Sequence, residues 1–372
     1  MMDCLIPTMT RTRGISSTLA LSVIVVVVII AAAGWAAYAA YPMSKTVTST
    51  VTQTNTSSGA TGTQSASTTA TQTFLQPTNS DASFTVAGFT QSVQFSDWFV
   101  GLQSGIFKQY VPNAKFVSLA GAQIPQALAS GQAQMSIDDP TALIPAIATG
   151  LPATFVASLT VSISPWVIVV AGNSTIQSLQ QLHGQNFGVT TVGSTLNYLT
   201  QYELSKQLGW KLNTDYKVVG LGSVPSIYAA LETGSIQATL QSVATVYNQL
   251  ASGTFRSVYN FSLPYPAVGL VATNSFIEQH PDAVLATVEA FLAAGAMWNT
   301  NGTLATSVLE SQFKLSPEGA AYAYGKTLFS SDGFISVSGF QAAVDLLKNG
   351  GALNATVSVP NIISSKFVPI TY

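Results

Sequence analysis

The sequence of 372 residues has little charge and almost no cysteine. Only 8% of its residues are Asp, Glu, Lys or Arg, against about 25% in an average globular protein. The formal net charge of -2 provides no basic surface for nucleic acid, so we expect no nucleic-acid partner. The single cysteine, Cys4, lies near the N-terminus, which excludes disulfides and cysteine metal sites from the rest of the chain.

Motifs of catalysis and cofactor binding are also missing. The sequence has no Gly-x-Ser-x-Gly, no Walker loop and no His-Glu-x-x-His. His183 and His280 are isolated histidines without a cluster of further ligands, so we expect no metal site and no cofactor. These absences favour a protein that is not an enzyme.

One long apolar run stands close to the N-terminus. Residues 15–41 carry no charge and are long enough to span a bilayer at about 1.5 Å per residue. Arg11 and Arg13 precede the run, so we expect residues 1–14 to be cytoplasmic and the globular part to lie outside the cell membrane. Two alternatives stay open. In the first, the run is a cleaved secretory signal. In the second, the chain is processed after Gly14, where the sequence resembles the pilin-like cleavage site of some archaeal surface binding proteins.

Residues 42–81 are dominated by Ser, Thr, Gln, Ala and Gly. Because they have almost nothing apolar to bury, we predict a disordered Ser/Thr-rich linker between the membrane and the globular part. Five sequons fit an extracellular glycoprotein; they begin at Asn55, Asn173, Asn260, Asn301 and Asn354.

Residues 82–372 alternate predicted strands and helices, as in an α/β fold with parallel strands. A helix–Gly–strand segment at 127–137 (ALASGQAQMSI) is repeated about 103 residues later, at 230–240 (ALETGSIQATL). We infer two similar lobes: lobe 1 at 82–167, lobe 2 at 168–264, and a return to lobe 1 at 265–372. The long apolar runs at 165–170 and 266–273 are interpreted as strands that also cross between the lobes.

Several short segments, taken in order, resemble one family of transport proteins. They are Gly88-Phe-Thr90, residues 98–108 (WFVGLQSGIFK), Ala127-Leu-Ala-Ser-Gly131, Gly150-Leu-Pro152, residues 176–189 (IQSLQQLHGQNFGV) and Gly193-Ser194. The family is the nitrate/sulfonate/taurine and thiamine-precursor type of ABC-transporter substrate-binding protein, here of the archaeal membrane-tethered kind. The resemblance implies a two-lobed, periplasmic-binding-protein-like (type II) fold with two hinge crossings.

The same resemblance implies a function. Such a monomer closes on one small solute, of the sulfonate, nitrate-like anion or thiamine-precursor class, and delivers it to an ABC permease and its ATPase. The sequence departs from the family pattern in two ways. Gln134 and Gln237 stand where the family usually has Asp, and a pair of arginines suited to oxyanions is missing, since Arg256 is the only arginine after Arg13. The identity and the charge of the solute therefore stay open.

If the two lobes face each other, the strand ends and the helices that follow them line the cleft. Backbone N–H groups at helix starts can hold an anionic group without arginine, aromatic rings can stack on a planar solute, and an aspartate in the cleft favours an amine. The predicted ligand-binding residues are Phe89, Thr90, Phe95, Ser96, Asp138, Asp139, Thr141, Trp166, Thr191, Gly193, Ser194, Thr195, Gln241 and Ser242.

Structural roles are the alternative for several of these residues. Asp139 followed by Pro140 suits the start of a helix, and so do Ser194 and Thr195, whose hydroxyls can cap it. The aromatic rings can equally pack in the core.

Two other functions stay open at this point. One is a surface sensor or adhesion domain. The other is a pyrimidine-synthase-like enzyme on the same fold, although the Cys-rich motif of those enzymes is missing after Cys4. The low charge also suggests an acidic exterior, where carboxylates with a pKa of about 4 lose their ion pairs.

Overall fold

The structure is a computed structural model that describes residues 79–263, 265 and 267–371. The predicted cytoplasmic end, the predicted membrane anchor, all but the last residues of the predicted linker and the sequon at Asn55 lie outside the described residues.

The strands of the described part are β1 (Thr85–Gly88), β2 (Lys115–Ser118), β3 (Met135–Asp138), β4 (Ala153–Ser158), β5 (Thr160–Ser162), β6 (Trp166–Ala171), β7 (Asn186–Val189), β8 (Lys217–Gly220), β9 (Ala238–Ser242), β10 (Phe255–Phe261), β11 (Gly269–Thr273), β12 (Leu328–Phe329), β13 (Ile335–Ser336) and β14 (Ile370–Thr371). Its α-helices are α1 (Ser96–Gln103), α2 (Ile106–Tyr110), α3 (Gln123–Ala129), α4 (Pro140–Ala148), α5 (Thr195–Leu208), α6 (Val224–Glu232), α7 (Tyr247–Ala251), α8 (Asn274–Gln279), α9 (Pro281–Thr300), α10 (Gly302–Phe313), α11 (Pro317–Lys326) and α12 (Val337–Asn349).

The sheet of lobe 1 has the strand order β2-β1-β3-β11-β4. β1 runs parallel to β2 and β3, whereas β11 runs antiparallel to its neighbours β3 and β4. Every residue of β3 and of β11 is buried, as expected for central strands covered by helices on both faces.

The sheet of lobe 2 has the order β10-β6-β9-β7-β8. β7 runs parallel to β8 and β9, and β6 runs antiparallel to β9 and β10. Taken from its β8 edge, this sheet has the order β8-β7-β9-β6-β10. These strands occupy the positions of β2, β1, β3, β11 and β4 in the sheet of lobe 1. The repeated segments end in β3 and β9, which hold equivalent places. The prediction of two similar α/β lobes is therefore confirmed.

The two long apolar runs lie inside the sheets, so their interpretation as crossing segments was wrong. β6 is a central strand of lobe 2, and β11 is a central strand of lobe 1. Their continuous apolar sequence reflects burial on both faces, with 0% exposure from Val167 through Val170. The chain crosses before each of these strands, first at 159–165 and then in the part of the chain whose described residues are 262, 263, 265, 267 and 268. β5 of the first segment pairs with β12 of lobe 1.

Helix α9 forms the centre of the lobe 1 core. Phe291 on α9 packs against Phe107 with ring centroids 4.7 Å apart, and Phe107 stacks on Phe116 at 4.3 Å. Among the described helices, α9 is long and apolar enough to cross a membrane, but 67% of its apolar window is buried inside the protein. Burial of this extent is typical of a core helix.

The C-terminal helices α10 and α11 are attached to lobe 1. Phe313 of α10 meets Phe99 of α1 edge-on, with ring centroids 5.6 Å apart. Tyr324 of α11 packs on Trp298 of α9 at 5.8 Å. These contacts fix the surface that α10 and α11 present to lobe 2.

Candidate functional site

A cleft lies between the two lobes, where the strands of both sheets end and the next helices begin. It contains about 410 Å³ of space not filled by atoms, measured out to its open mouth. Both lobes contribute to its lining, which consists of Phe89, Ser92, Gln94, Phe95, Gly121, Asp138, Trp166, Thr190, Ser194, Thr195, Leu196, Val224 and Gln241.

Lobe 1 contributes aromatic rings and one carboxyl group. Phe89 follows β1 and meets Phe95 edge-on, with ring centroids 5.8 Å apart. The side chain of Gln94 donates to the carbonyl of Ala267 in the return crossing at 3.2 Å. Asp138 is the last residue of β3 and is 1% exposed. This wall therefore combines an apolar surface with a buried acid.

The two neighbouring aspartates have different environments. Oδ1 of Asp138 accepts the backbone N–H of Asp139 at 2.8 Å, whereas Oδ2 of Asp138 is buried without a hydrogen-bond partner. Burial raises the pKa of Asp138 well above its ordinary value, and the charge of Asp139 adds to the rise. No lysine, arginine or histidine lines the cleft to stabilise a charge on Asp138, so burial favours its neutral form.

Asp139 points away from the cleft and caps helix α4. Its carboxyl group accepts the backbone N–H of Thr141 at 2.9 Å and the Thr141 hydroxyl at 2.6 Å. The hydroxyl of Tyr265, in the return crossing, donates to it at 3.2 Å. Burial raises the pKa of Asp139 to about 7, although the hydrogen bonds from Thr141 and Tyr265 favour the charged form. Asp139 therefore links the lobe 1 corner to the crossing segment.

Lobe 2 contributes hydrogen-bond donors. Nε1 of Trp166, Oγ1 of Thr190 and Oγ of Ser194 are all buried without a hydrogen-bond partner in the part of the chain that the structure describes. Ser194 is the N-cap residue of α5, yet its hydroxyl makes no capping hydrogen bond. The start of α5 faces the cleft through Ser194, Thr195 and Leu196, and the first N–H groups of any helix have no partner within it.

The structure brings seven of the predicted ligand-binding residues together in the cleft lining: Phe89, Phe95, Asp138, Trp166, Ser194, Thr195 and Gln241. The other seven lie beside the cleft, and they are Thr90, Ser96, Asp139, Thr141, Thr191, Gly193 and Ser242. Their polar groups are mostly engaged with the protein itself. For example, Thr90 pairs with Ser118 at 2.6 Å, and the Ser96 hydroxyl donates to the carbonyl of Val93 at 2.6 Å. The role of all fourteen as ligand contacts stays a prediction.

Six lining residues were not selected from the sequence: Ser92, Gln94, Gly121, Thr190, Leu196 and Val224. Most of them had a local signal. Ser92 and Gln94 lie between the end of β1 and the start of α1, where the sequence analysis expects the cleft, and Thr190 directly follows the strand at 186–189. Val224 depends on how the lobes meet, which no local pattern shows.

Direct hydrogen bonds join the two lobes across the mouth of the cleft. The side chain of Gln91 accepts the backbone N–H of Val224 at 3.0 Å. The hydroxyl of Thr191 accepts the backbone N–H of Ala122 at 3.2 Å. Thr245 similarly contacts the segment that begins at Ser92. The cleft is therefore in a closed arrangement.

No metal site can be assigned within the described part of the chain. Within the described residues, no group of three or more His, Cys, Asp and Glu side chains is placed to hold a metal ion.

One protein family matches the chain. The family described as NMT1/THI5 like matches residues 95–299, more than half of the sequence, and this range includes most of the cleft lining. No curated protein matches the chain.

Solved structures share its fold at low sequence identity. The alkanesulfonate-binding protein SsuA from Xanthomonas axonopodis pv. citri, bound to MOPS, is 17% identical with a TM-score of 0.65, over 76% of this chain and 98% of its own. The nitrate-binding protein NrtA from Synechocystis PCC 6803 is 14% identical with a TM-score of 0.62, over 77% and 87%. The CA3427 gene product of Candida albicans, described as having the generic periplasmic binding protein fold, is 15% identical with a TM-score of 0.68, over 78% and 99%. The fold is thus α/β and periplasmic-binding-protein-like.

Proposed function

Since the chain belongs to the NMT1/THI5-like family, we propose that it is an extracytoplasmic solute-binding protein of an ABC importer. It captures one small organic solute in the interlobe cleft. The proposal depends most on one observation: four of the residues that line this cleft each have a buried polar atom without a hydrogen-bond partner among the described residues. The atoms are Asp138 Oδ2, Trp166 Nε1, Thr190 Oγ1 and Ser194 Oγ.

Such atoms are costly to leave unpaired. Each buried donor or acceptor without a partner destabilises a protein by about 1–3 kcal/mol. Four of them around one cleft favour a bound molecule that supplies the missing hydrogen bonds.

The donors indicate which group of the solute faces lobe 2. The indole N–H of Trp166 can only donate, and the hydroxyls of Thr190 and Ser194 can also donate. The start of α5 adds backbone N–H groups and the positive end of the helix dipole. A group with several acceptor oxygens, such as a sulfonate or a nitrate-like anion, complements this set without arginine. Alkanesulfonate and nitrate are also the solutes of two proteins that share the fold.

The remaining lining residues accommodate the body of the solute. Phe89, Phe95, Leu196 and Val224 form apolar surface, and as a neutral acid Asp138 donates one further hydrogen bond to an acceptor on the solute. The thirteen lining residues include one ionisable side chain, Asp138, and neither His, Cys nor Lys, which favours binding over turnover.

Delivery of the solute completes the proposed function. The protein acts as a monomer and presents its closed, loaded form to a permease and its ATPase. The apolar segment at 15–41 holds it at the cell membrane, and residues 42–81 connect this anchor to the globular part outside the cell.

A titration of the full-length protein in detergent tests solute binding. The probes are ethanesulfonate, taurine, nitrate and an aminopyrimidine thiamine precursor, followed by tryptophan fluorescence. We expect a saturable, single-site change with a probe of the sulfonate or nitrate class. The fluorescence change should be lost in Trp166→Phe and kept in Trp210→Phe. In Ser194→Ala it should require a roughly tenfold higher probe concentration. Absence of saturation with all four probes contradicts the proposal.

A further inference from the structure

A second contact between the lobes lies outside the cleft, on helix α7 of lobe 2. The side-chain amide of Asn248 reaches across to the turn between α10 and α11 of lobe 1. Its Nδ2 donates to the carbonyl of Lys314 at 2.8 Å, and its Oδ1 accepts the backbone N–H of Ser316 at 3.0 Å. One side chain of lobe 2 thus satisfies two backbone groups of lobe 1. We call Asn248 and its two partners the α7 latch.

The backbone of lobe 1 is shaped for this contact. Lys314 has a φ of 56°, a left-handed conformation that is uncommon outside glycine. Ser316 is the N-cap residue of α11, and its hydroxyl accepts the N–H of Gly319 at 3.2 Å. The two groups that Asn248 bonds are therefore held in fixed positions on either side of Leu315.

Gly319 allows α7 to approach closely. A Cβ atom added to Gly319 would lie 2.9 Å from Cδ1 of Tyr247 and 3.0 Å from Oδ1 of Asn248. Beside it, the rings of Tyr247 and Tyr322 pack with centroids 5.1 Å apart. A side chain at position 319 would therefore force Tyr247 or Asn248 to shift at this contact.

Helix α7 is also joined directly to the binding cleft. Gln241, which lines the cleft, is the last residue but one of β9, the strand before α7, and Thr245 of the turn between them contacts Ser92 of lobe 1. A force on α7 therefore acts on the corner that faces the solute.

We propose that Asn248 is a positioning residue that stabilises the closed arrangement of the two lobes. The proposal rests on the proposed function: a cleft that opens by separation of the lobes at α7 must break the α7 latch, so the latch opposes opening. Loss of the latch increases the open population and with it the rate at which solute is taken up and released.

Hydrogen exchange of the full-length protein, measured without any solute, tests the proposal. The amides of Ala122 and Val224 are bonded only to side chains of the opposite lobe, so their exchange reports on opening. We expect exchange at both amides to become roughly tenfold faster in Asn248→Ala, since two hydrogen bonds are lost. Gln249→Ala, on the same helix, is the control and should leave both amides unchanged.

A substitution in lobe 1 tests the same contact from its other side. Gly319→Ala improves the helix propensity of α11 but places a methyl group against Tyr247, so it should also speed exchange at Ala122 and Val224. Gly325→Ala is its matched control, because a Cβ there meets nothing within 4 Å. Faster exchange confined to residues 247–251 and 314–319 would overturn the latch. Since no solute is present, this result is independent of whether the protein binds one.

Discussion

Gln134 and Gln237 make the same pair of hydrogen bonds in the two lobes. Oε1 of Gln134 accepts the backbone N–H of Thr85 at 2.9 Å, and its Nε2 donates to the carbonyl of Gly131 at 2.8 Å. Gln237 accepts from Asn186 at 3.2 Å and donates to Gly234 at 2.8 Å. Each glutamine ties the start of a strand to the turn after a helix. A carboxylate could accept here but not donate, which explains why an amide suits both positions.

Replacing one of these amides by an acid should cost stability only when the acid is charged. In Gln237→Glu, the donated hydrogen bond to Gly234 is lost and a carboxylate oxygen faces a carbonyl, so we expect a loss of about 1 kcal/mol at pH 7. Protonation below about pH 4 restores the donor. Urea unfolding at pH 7 and pH 3.5 measures the difference.

The control for this variant is Gln126→Glu, an exposed position on α3. It should change the urea midpoint little at either pH. An equal loss in Gln237→Glu at both pH values would contradict the assignment of the glutamine as a donor.

Buried acids should make the protein more stable in mild acid than at neutral pH. Burial raises the pKa of Asp97 to about 8 and that of Asp139 to about 7. Because these pKa values lie above those of the unfolded chain, the protons stabilise the fold fully below about pH 4. This stabilisation is lost as the pH rises through the folded pKa, by up to about 1.4 kcal/mol per pH unit and group.

Few ion pairs oppose this trend. In the part of the chain that the structure describes, they are His183 with Asp215 at 3.3 Å and Lys206 with Glu203 at 3.9 Å, and one partner of each is exposed. We expect a higher melting temperature at pH 4 than at pH 8, with a smaller difference in Asp97→Asn. A melting temperature that falls steadily from pH 7 to pH 4 would show that these acids do not dominate.

Solute binding should depend on the protonation of Asp138. As a neutral acid it donates to an acceptor on the solute, so affinity for an anion should fall as the pH rises through its raised pKa. Asp138→Asn keeps a donor at every pH and should flatten this profile. Titrations with ethanesulfonate from pH 4 up to the highest pH at which the protein stays folded compare the two proteins, and the same pH dependence in both would exclude Asp138 as its source.

The hydroxyl of Tyr265 should support the lobe 1 corner. Tyr265→Phe removes the hydrogen bond to Asp139 and leaves its carboxyl group with fewer donors. We expect a loss of about 1–3 kcal/mol in urea unfolding at pH 8, where Asp139 is largely charged. At pH 5 the loss should be smaller, because the neutral acid needs fewer donors.

Much of the fold could be predicted because its signals are local. The helix–Gly–strand repeat at 127–137 and 230–240 follows from residue patterns, and the left-handed Gly131 (φ 75°) and Gly234 (φ 74°) end the two helices as that pattern requires. The apolar run at 165–170 was assigned to a crossing because burial on both faces of a sheet leaves no polar alternation to distinguish a central strand.

The site was only partly predictable for a different reason. Asp138 and Ser194 stand at strand ends and helix starts, which sequence patterns locate. Val224 begins α6, and its place in the lining follows from how the two lobes meet. The sequence also could not distinguish the free hydroxyl of Ser194 from a capping one, since both occur at the same position of a helix.

Native mass spectrometry of the full-length protein, released from detergent with the solute that copurifies, tests the central claim most directly. The account predicts one small molecule per chain, carrying several acceptor oxygens. It should be retained by the wild type and by Trp210→Phe and lost when Trp166→Phe and Ser194→Ala are combined. A solute retained equally by the combined variant, or one that carries no acceptor group, would contradict the claim that the unpaired donors of this cleft hold it.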